Sequence, residues 1–212
     1  MAKAKSASAH APDVKRRLLD AALRVIRTKG YGSSTVDDIC RAAGVSKGSF
    51  FHYFSTKEDL ALAAAAHFSA GADALFATAS YRQADDARER VLQYLDLRSA
   101  LLRGEMPDFT CLLGTMVQET YATHPAIREA CDDYIRHHAA DVAGDIAAAK
   151  SACAPDAPWS AQSLALFTQA VIQGAFILAK AHQDPNVASD CLTHLRRYLE
   201  TQLPEPTTTR TS

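Results

Sequence analysis

The chain has 212 residues, 48 % of them apolar, which is enough for a packed core and argues against a wholly disordered protein. No uninterrupted apolar stretch approaches the roughly 18 residues of a membrane span, and Met1 to His10 lacks the apolar segment of a secretory signal, so a cytoplasmic protein is expected. The net charge of -1 hides an asymmetry: residues 1–57 carry 11 Lys and Arg against 4 Asp and Glu, leaving 12 against 20 for residues 58–212. A basic N-terminal segment suits a polyanion that the acidic remainder would repel.

Residues 1–12, rich in Ala, Ser, Lys and His, are expected to form a disordered basic tail, able to act as an arm on DNA. The first helix is predicted from Asp13 to Lys29, with Leu18, Leu19, Ala22, Val25 and Ile26 on one stripe and Gly30 as its left-handed cap. Thr35 caps a second short helix, with Asp37 and Asp38 against the positive end of its dipole. Gly44 ends it, and Ser46 caps a third beginning at Lys47, so Ala43-Gly44-Val45-Ser46 is the turn of a helix-turn-helix.

A DNA-reading helix must be short, present small or polar residues at its N-terminal end and keep an apolar side against its own domain. Lys47 to Phe54 fits: Lys47, Gly48 and Ser49 lead, while Phe50 and Phe54, four apart, share a face that packs inward. Ser55-Thr56-Lys57-Glu58 reads as a capping box opening a long alanine-rich helix to about Ala79. Further helices are predicted over Asp86 to Arg103, Pro107 to Thr123, Pro125 to Cys153, Pro158 to Gln183 and Pro185 to Gln202, four of them opened by proline. Residues 204–212 are expected to be a disordered tail.

This pattern gives an all-α fold of about nine helices: a helix-turn-helix DNA-binding domain over residues 13–57 and a helical domain over 58–203. Five cysteines without a CxxC pair argue against a disulfide framework or a zinc site, and no cofactor is implied. The chain contains no GxSxG, HExxH, Walker loop or GxGxxG, so an enzyme is not expected.

The run from Lys15 to about Leu60 resembles the tetracycline-repressor (TetR) family of transcriptional regulators. The likeness is carried by Lys29-Gly30-Tyr31-Gly32, Thr35, Ala43 to Ser46, and Lys47-Gly48-Ser49-Phe50-Phe51-His52-Tyr53-Phe54 followed by Lys57-Glu58. The resemblance implies that Ser46, Lys47, Gly48 and Ser49 meet the major groove, with Phe51, His52 and Tyr53 near bases or phosphates. It also implies that Thr35 and Lys57 meet phosphates. Many members have tyrosine where this chain has Phe51, which removes a hydroxyl-to-phosphate bond; Tyr53 is a substitute.

The same resemblance implies a homodimeric repressor that leaves a palindromic operator when a small hydrophobic effector binds its C-terminal domain. Two apolar faces on the helix from Pro158 support two packing partners, and the expected dimer surface is Val171, Gly174, Ala175 and Leu178, continued by Leu192, Leu195 and Leu199. Candidate effector contacts are Phe76, Leu101, Met106 and Phe109; then Cys111, Leu112, Thr115, Met116 and Glu119; then Tyr134, His138, Trp159, Phe167 and Gln173. Phe109 to Gly114 is similar to a Gly-Cys-Leu-Leu-Gly stretch of some members, with Thr110 in place of the first glycine. Cys111 is therefore a candidate redox or electrophile sensor. A ligand-independent DNA-binding protein is the remaining alternative.

Overall fold

A computed structural model of the chain describes residues 11–205; of the tails predicted at 1–12 and 204–212, residues 1–10 and 206–212 lie outside the described residues, and residues 11 and 12 belong to the first helix. Ten α-helices and one 3-10 turn, with no strand among the described residues, make up the fold: α1 (Ala11–Lys29), α2 (Val36–Ala43), α3 (Lys47–Tyr53), α4 (Lys57–Thr78), the turn Ser80–Gln83, α5 (Ala87–Ala100), α6 (Met106–Phe109), α7 (Leu112–Thr120), α8 (Pro125–Cys153), α9 (Ala161–His182) and α10 (Asn186–Gln202). The first helix thus starts two residues before the predicted Asp13. The chain divides into two compact units, residues 1–72 with 111–133, and 73–110 with 134–212.

In the first unit, Leu18, Ala22 and Ile26 of α1 pack with Ile39 of α2, Phe50 of α3 and Leu60 of α4, all fully buried. The local chemistry of α2 and α3 follows the sequence closely. Thr35 and Asp38 form a reciprocal capping box, Gly44 closes α2 at φ 63° and ψ 41°, and the Ser46 hydroxyl accepts the Ser49 amide at 3.1 Å. Arg17 Nη2 donates to the carbonyl oxygens of Ala43 and Gly44, tying α1 to the end of α2.

The start of α4 differs from expectation by one residue. Thr56 and Asp59 make the box, the Thr56 amide donating to Asp59 Oδ2 and the Asp59 amide to Thr56 Oγ1, both at 3.0 Å. The two candidate boxes overlap in sequence, Ser55 with Glu58 and Thr56 with Asp59, and local spacing cannot rank them. Glu58 instead faces Tyr31, where with burial it raises the pKa of the phenol.

Two other predicted starts shift for related reasons. The segment expected as one helix from Pro107 to Thr123 is broken at Thr110, which is extended, and the Cys111 thiol caps α7 by accepting the Gly114 amide at 3.4 Å. That break and the 3-10 turn raise the element count above nine. Pro158 does not open α9: the Ser160 hydroxyl accepts the Ser163 amide, and Lys150 Nζ donates to the Trp159 carbonyl at 2.6 Å, holding the preceding segment as a turn.

In the second unit, Leu192, Leu195 and Leu199 of α10 and Ala175 of α9 are buried, and α10 packs on α9 and α5. These four residues were expected on a partner-facing surface. Apolar periodicity marks a buried stripe without saying whose surface buries it, and here it is the chain's own core. Arg196 of α10 pairs with Asp96 of α5 at 2.8 Å and with Glu200, and Arg88 Nε donates to the Leu203 carbonyl. α4 and α9 are long and apolar enough on average to cross a membrane by composition, though polar residues interrupt both. α9 nevertheless buries Thr168 and Gln169 together with its apolar stripe.

Candidate functional site

The recognition features converge at the exposed end of the helix-turn-helix. Ser46, Lys47, Gly48, Phe51 and His52 are exposed and Ser49 and Tyr53 half-buried, while Phe50 and Phe54 are buried against α1 and α4. Their rings pack 5.8 Å apart, and Phe51 stands edge-on to Phe50 at 5.1 Å with 56 % of its surface exposed. A phenyl group that open, on a helix held by two buried phenylalanines, faces outward because the inner positions are already taken. Gly48 has only the Ser46 hydroxyl within 4 Å of where its Cβ would be, so a backbone or base edge can approach closely there.

Three residues expected at DNA, Lys47 in the major groove and Thr35 and Lys57 at phosphates, are engaged within the chain. Lys47 Nζ pairs with Asp37 at 2.9 Å across an exposed surface, an interaction worth about 0–1 kcal/mol and easily exchanged for a phosphate. Thr35 gives its amide and hydroxyl to Asp38 Oδ2, at 3.2 and 2.8 Å. Lys29 also pairs with Asp38, at 3.0 Å, and its hydrogen bond, followed by those from Thr35, lowers the pKa of the Asp38 carboxyl to about 2. Lys57 is committed more deeply: Nζ donates to the carbonyls of Tyr31 and Ser34, each at 3.0 Å, and lies 4.2 Å from the Tyr31 ring centroid. Lys57 therefore braces the turn between α1 and α2, and this role was not legible from motif matching.

Glu119, expected beside an effector, has a different place. Its Oε2 accepts the Gly32 amide at 2.7 Å, and its carboxylate fills the space beside Gly30, whose φ is 85°. Next to it, Tyr31 meets His124 edge-on at 5.2 Å. α7 thus grips the α1–α2 turn within the first unit. Leu112 and Met116 are fully buried there, and the Thr115 hydroxyl donates to the Cys111 carbonyl.

The second unit assembles a polar and aromatic cluster from six elements. The Gln169 amide donates to the Tyr94 hydroxyl at 3.1 Å, and that hydroxyl lies 2.9 Å from His138 Nε2. Phe76 packs on His138 at 4.7 Å and on Tyr94 at 5.7 Å, and Tyr81 meets Tyr94 at 5.9 Å. Arg98 lies over Phe76 and Phe176, its Cζ 5.5 and 6.0 Å from their centroids, and Phe109 packs on Phe176. Burial, then the nearby Arg98 and Arg82, lowers the His138 pKa to about 4, so the ring is neutral at physiological pH.

Of the residues expected at an effector, Phe76, Phe109 and His138 are brought together here, while Tyr94, Arg98, Gln169 and Phe176 were missed. Gln169 lies one helical turn before the expected Gln173, which is only half-buried. Phe167 is exposed and stacks on Tyr198, Trp159 packs under Lys150, and Leu101 is exposed at the end of α5. Met106 and Tyr134 are half-buried in the same unit.

Residues 18–64 match a family described as bacterial regulatory proteins, tetR family, and residues 87–192 match the C-terminal domain of LmrA/YxaF-like transcriptional regulators. The chain is 48 % identical over 56 residues to the transcriptional regulator AcuR of Cereibacter sphaeroides, spanning 25 % of this chain and 26 % of that one. It is 41 % identical over 61 residues to the regulator CymR of Pseudomonas putida, spanning 29 % and 30 %. The chain thus matches less than a third of the length of these curated relatives. A TetR-family regulator from Agrobacterium tumefaciens superposes with a TM-score of 0.78 at 18 % identity, covering 89 % of this chain and 98 % of that one. The regulatory protein TetR from Rhodobacter sphaeroides does so at 0.76 and 26 %, covering 86 % and 97 %. With the capped helix-turn-helix and the all-helical second unit, these matches show that the chain belongs to the TetR family of DNA-binding transcriptional regulators and is not an enzyme.

Proposed function

We propose that the protein is a cytoplasmic, homodimeric repressor that holds a palindromic operator through α3 and releases it when a small, mainly hydrophobic effector occupies the second unit. The carrying observation is the exposed N-terminal end of α3, led by Lys47, Gly48 and Ser49, where the surface pair of Lys47 with Asp37 is weak enough to exchange for DNA, while Phe50 and Phe54 anchor the helix behind them. The basic charge of residues 1–57 supplies the sequence-independent attraction.

A second copy is suggested by an exposed apolar face. Leu166, Phe167, Ile177 and Leu178 of α9 and Tyr198 of α10 are each about half exposed, and the half-buried Val171 and Gly174 lie among them. Two such faces meeting about a two-fold axis remove apolar surface from water and set two α3 helices toward half-sites about 34–36 Å apart, or multiples of that. Effector occupancy must favour one state of the dimer over the other for release to follow.

Selection of bound sequences from a random duplex pool, repeated with Lys47→Ala at several salt concentrations, tests the reading. Enrichment of a palindrome supports it. No enrichment, and no effect of Lys47→Ala, overturns it. A second reading, thiol sensing through Cys111, is favoured by the half-buried sulfur at the start of α7, where the Gly114 amide points at it. It requires that Cys111→Ser abolish any loss of DNA binding caused by N-ethylmaleimide.

A further inference from the structure

We propose that the effector site of the second unit takes a small organic anion, a carboxylate on an apolar body, and that Arg98 is the residue that binds its charge. The inference rests on the reading of that cluster as the effector site and narrows the ligand from merely hydrophobic to amphipathic.

Charge pairing in the unit carries the argument. Three arginines surround the cluster or its edge. Arg82 and Arg90 share the one carboxylate of Asp145, each at 3.0 Å, so each guanidinium already has an acidic partner. Arg98 has no acid and no hydrogen-bond acceptor among the described residues; its contacts are the rings of Phe76 and Phe176. Stacking uses the faces of a guanidinium and leaves its in-plane N–H edge to donate, in the fork geometry that matches a carboxylate. A half-buried cation beside aromatic walls, without an acidic partner among the described residues, favours an anion from outside.

The neighbouring groups fit the same ligand. His138 is neutral and Arg82 and Arg90 are held by Asp145, so Arg98 is the cation at the cluster with no acidic partner among the described residues. Tyr94 is occupied by Gln169 and His138. The rings of Phe76, Phe109 and Phe176 receive the apolar body.

The test uses the purified full-length protein, titrated calorimetrically with hexanoate and phenylacetate and, in parallel, with hexanamide and phenylacetamide. The proteins compared are wild type, Arg98→Gln and Arg98→Lys, each with its melting curve, and Arg128→Ala, at an exposed surface pair with Glu129, as a control. The expected result is binding of the carboxylates in preference to the amides, a loss of about tenfold to a hundredfold in Arg98→Gln, partial retention in Arg98→Lys, and no change in Arg128→Ala. Amides that bind as well as the acids, with Arg98→Gln equal to wild type, overturn the anion while leaving an effector site in place. Carboxylates that bind through Arg98 without altering operator affinity uphold the inference and overturn ligand control. No binding by either series at millimolar concentration overturns both.

Discussion

Gly30→Ala measures how firmly α7 holds the turn of the DNA-binding domain. Gly30 has φ 85°, and an L-residue in the left-handed region costs about 1–2 kcal/mol. A Cβ there would also overlap the Glu119 carboxylate. That carboxylate is the end of a flexible side chain, so it moves aside instead of forcing the backbone apart, and its bond to the Gly32 amide is lost. A hydrogen bond to a charged group contributes about 1.5–3 kcal/mol, with the lower figure apt for this exposed carboxylate. The sum for Gly30→Ala is therefore about 3 kcal/mol. In a Glu119→Ala background the collision and the bond are both already gone, and Gly30→Ala costs only its backbone penalty of about 1–2 kcal/mol. Urea unfolding of the four proteins of the cycle, followed by helical circular dichroism, gives the coupling directly. Equal costs of Gly30→Ala in the two backgrounds would refute the proposed grip of Glu119.

Lys47→Ala should weaken operator binding about tenfold and flatten the salt dependence by about one unit of slope, read by fluorescence anisotropy; an unchanged slope counts against a phosphate contact. Asp37→Asn, which releases Lys47 and removes a negative charge beside α3, should strengthen binding a few-fold in the same assay. The His138 pKa is lowered on folding from 6.5 to about 4, so the unfolded chain binds the proton more readily: the stabilisation is present above pH 6.5 and disappears as pH falls toward 4. The loss is about 2–3 kcal/mol, and His138→Gln should melt with a visibly shallower acid dependence than wild type over that range. Leu178→Glu, on the exposed face of α9, should shift the species seen by analytical ultracentrifugation toward monomer without lowering helix content.

Much of the DNA-binding unit is legible in the sequence because its determinants are local. Thr35 with Asp38, Gly44 and Ser46 act on backbone groups three or four residues away, so a linear reading finds them. The same locality explains a miss: Ser55 and Thr56 offer equivalent caps one residue apart, and only the packed chain selects Thr56. Lys57 and Glu119 belong to another class. Their partners are the carbonyls of Tyr31 and Ser34 and the Gly32 amide, and a contact of 87 residues' separation, as between Glu119 and Gly32, leaves no periodic trace.

In the second unit the sequence determined that helices form, since alanine-rich stretches with apolar spacing permit little else, but not which stripe of each helix would be covered. Leu192, Leu195 and Leu199 carry the same apolar signal as Leu178, yet the first three are sealed against their own chain and Leu178 is open. Hydrophobicity is non-directional, so periodicity reports that a face is to be buried and tertiary packing alone names the neighbour. The cluster of Tyr94, Arg98, His138 and Gln169 arises in the same way, from three helices whose polar residues have meaning only when brought together. The helix-turn-helix was determined by chemistry between near neighbours, and the site that would govern it by contacts that only the folded chain creates.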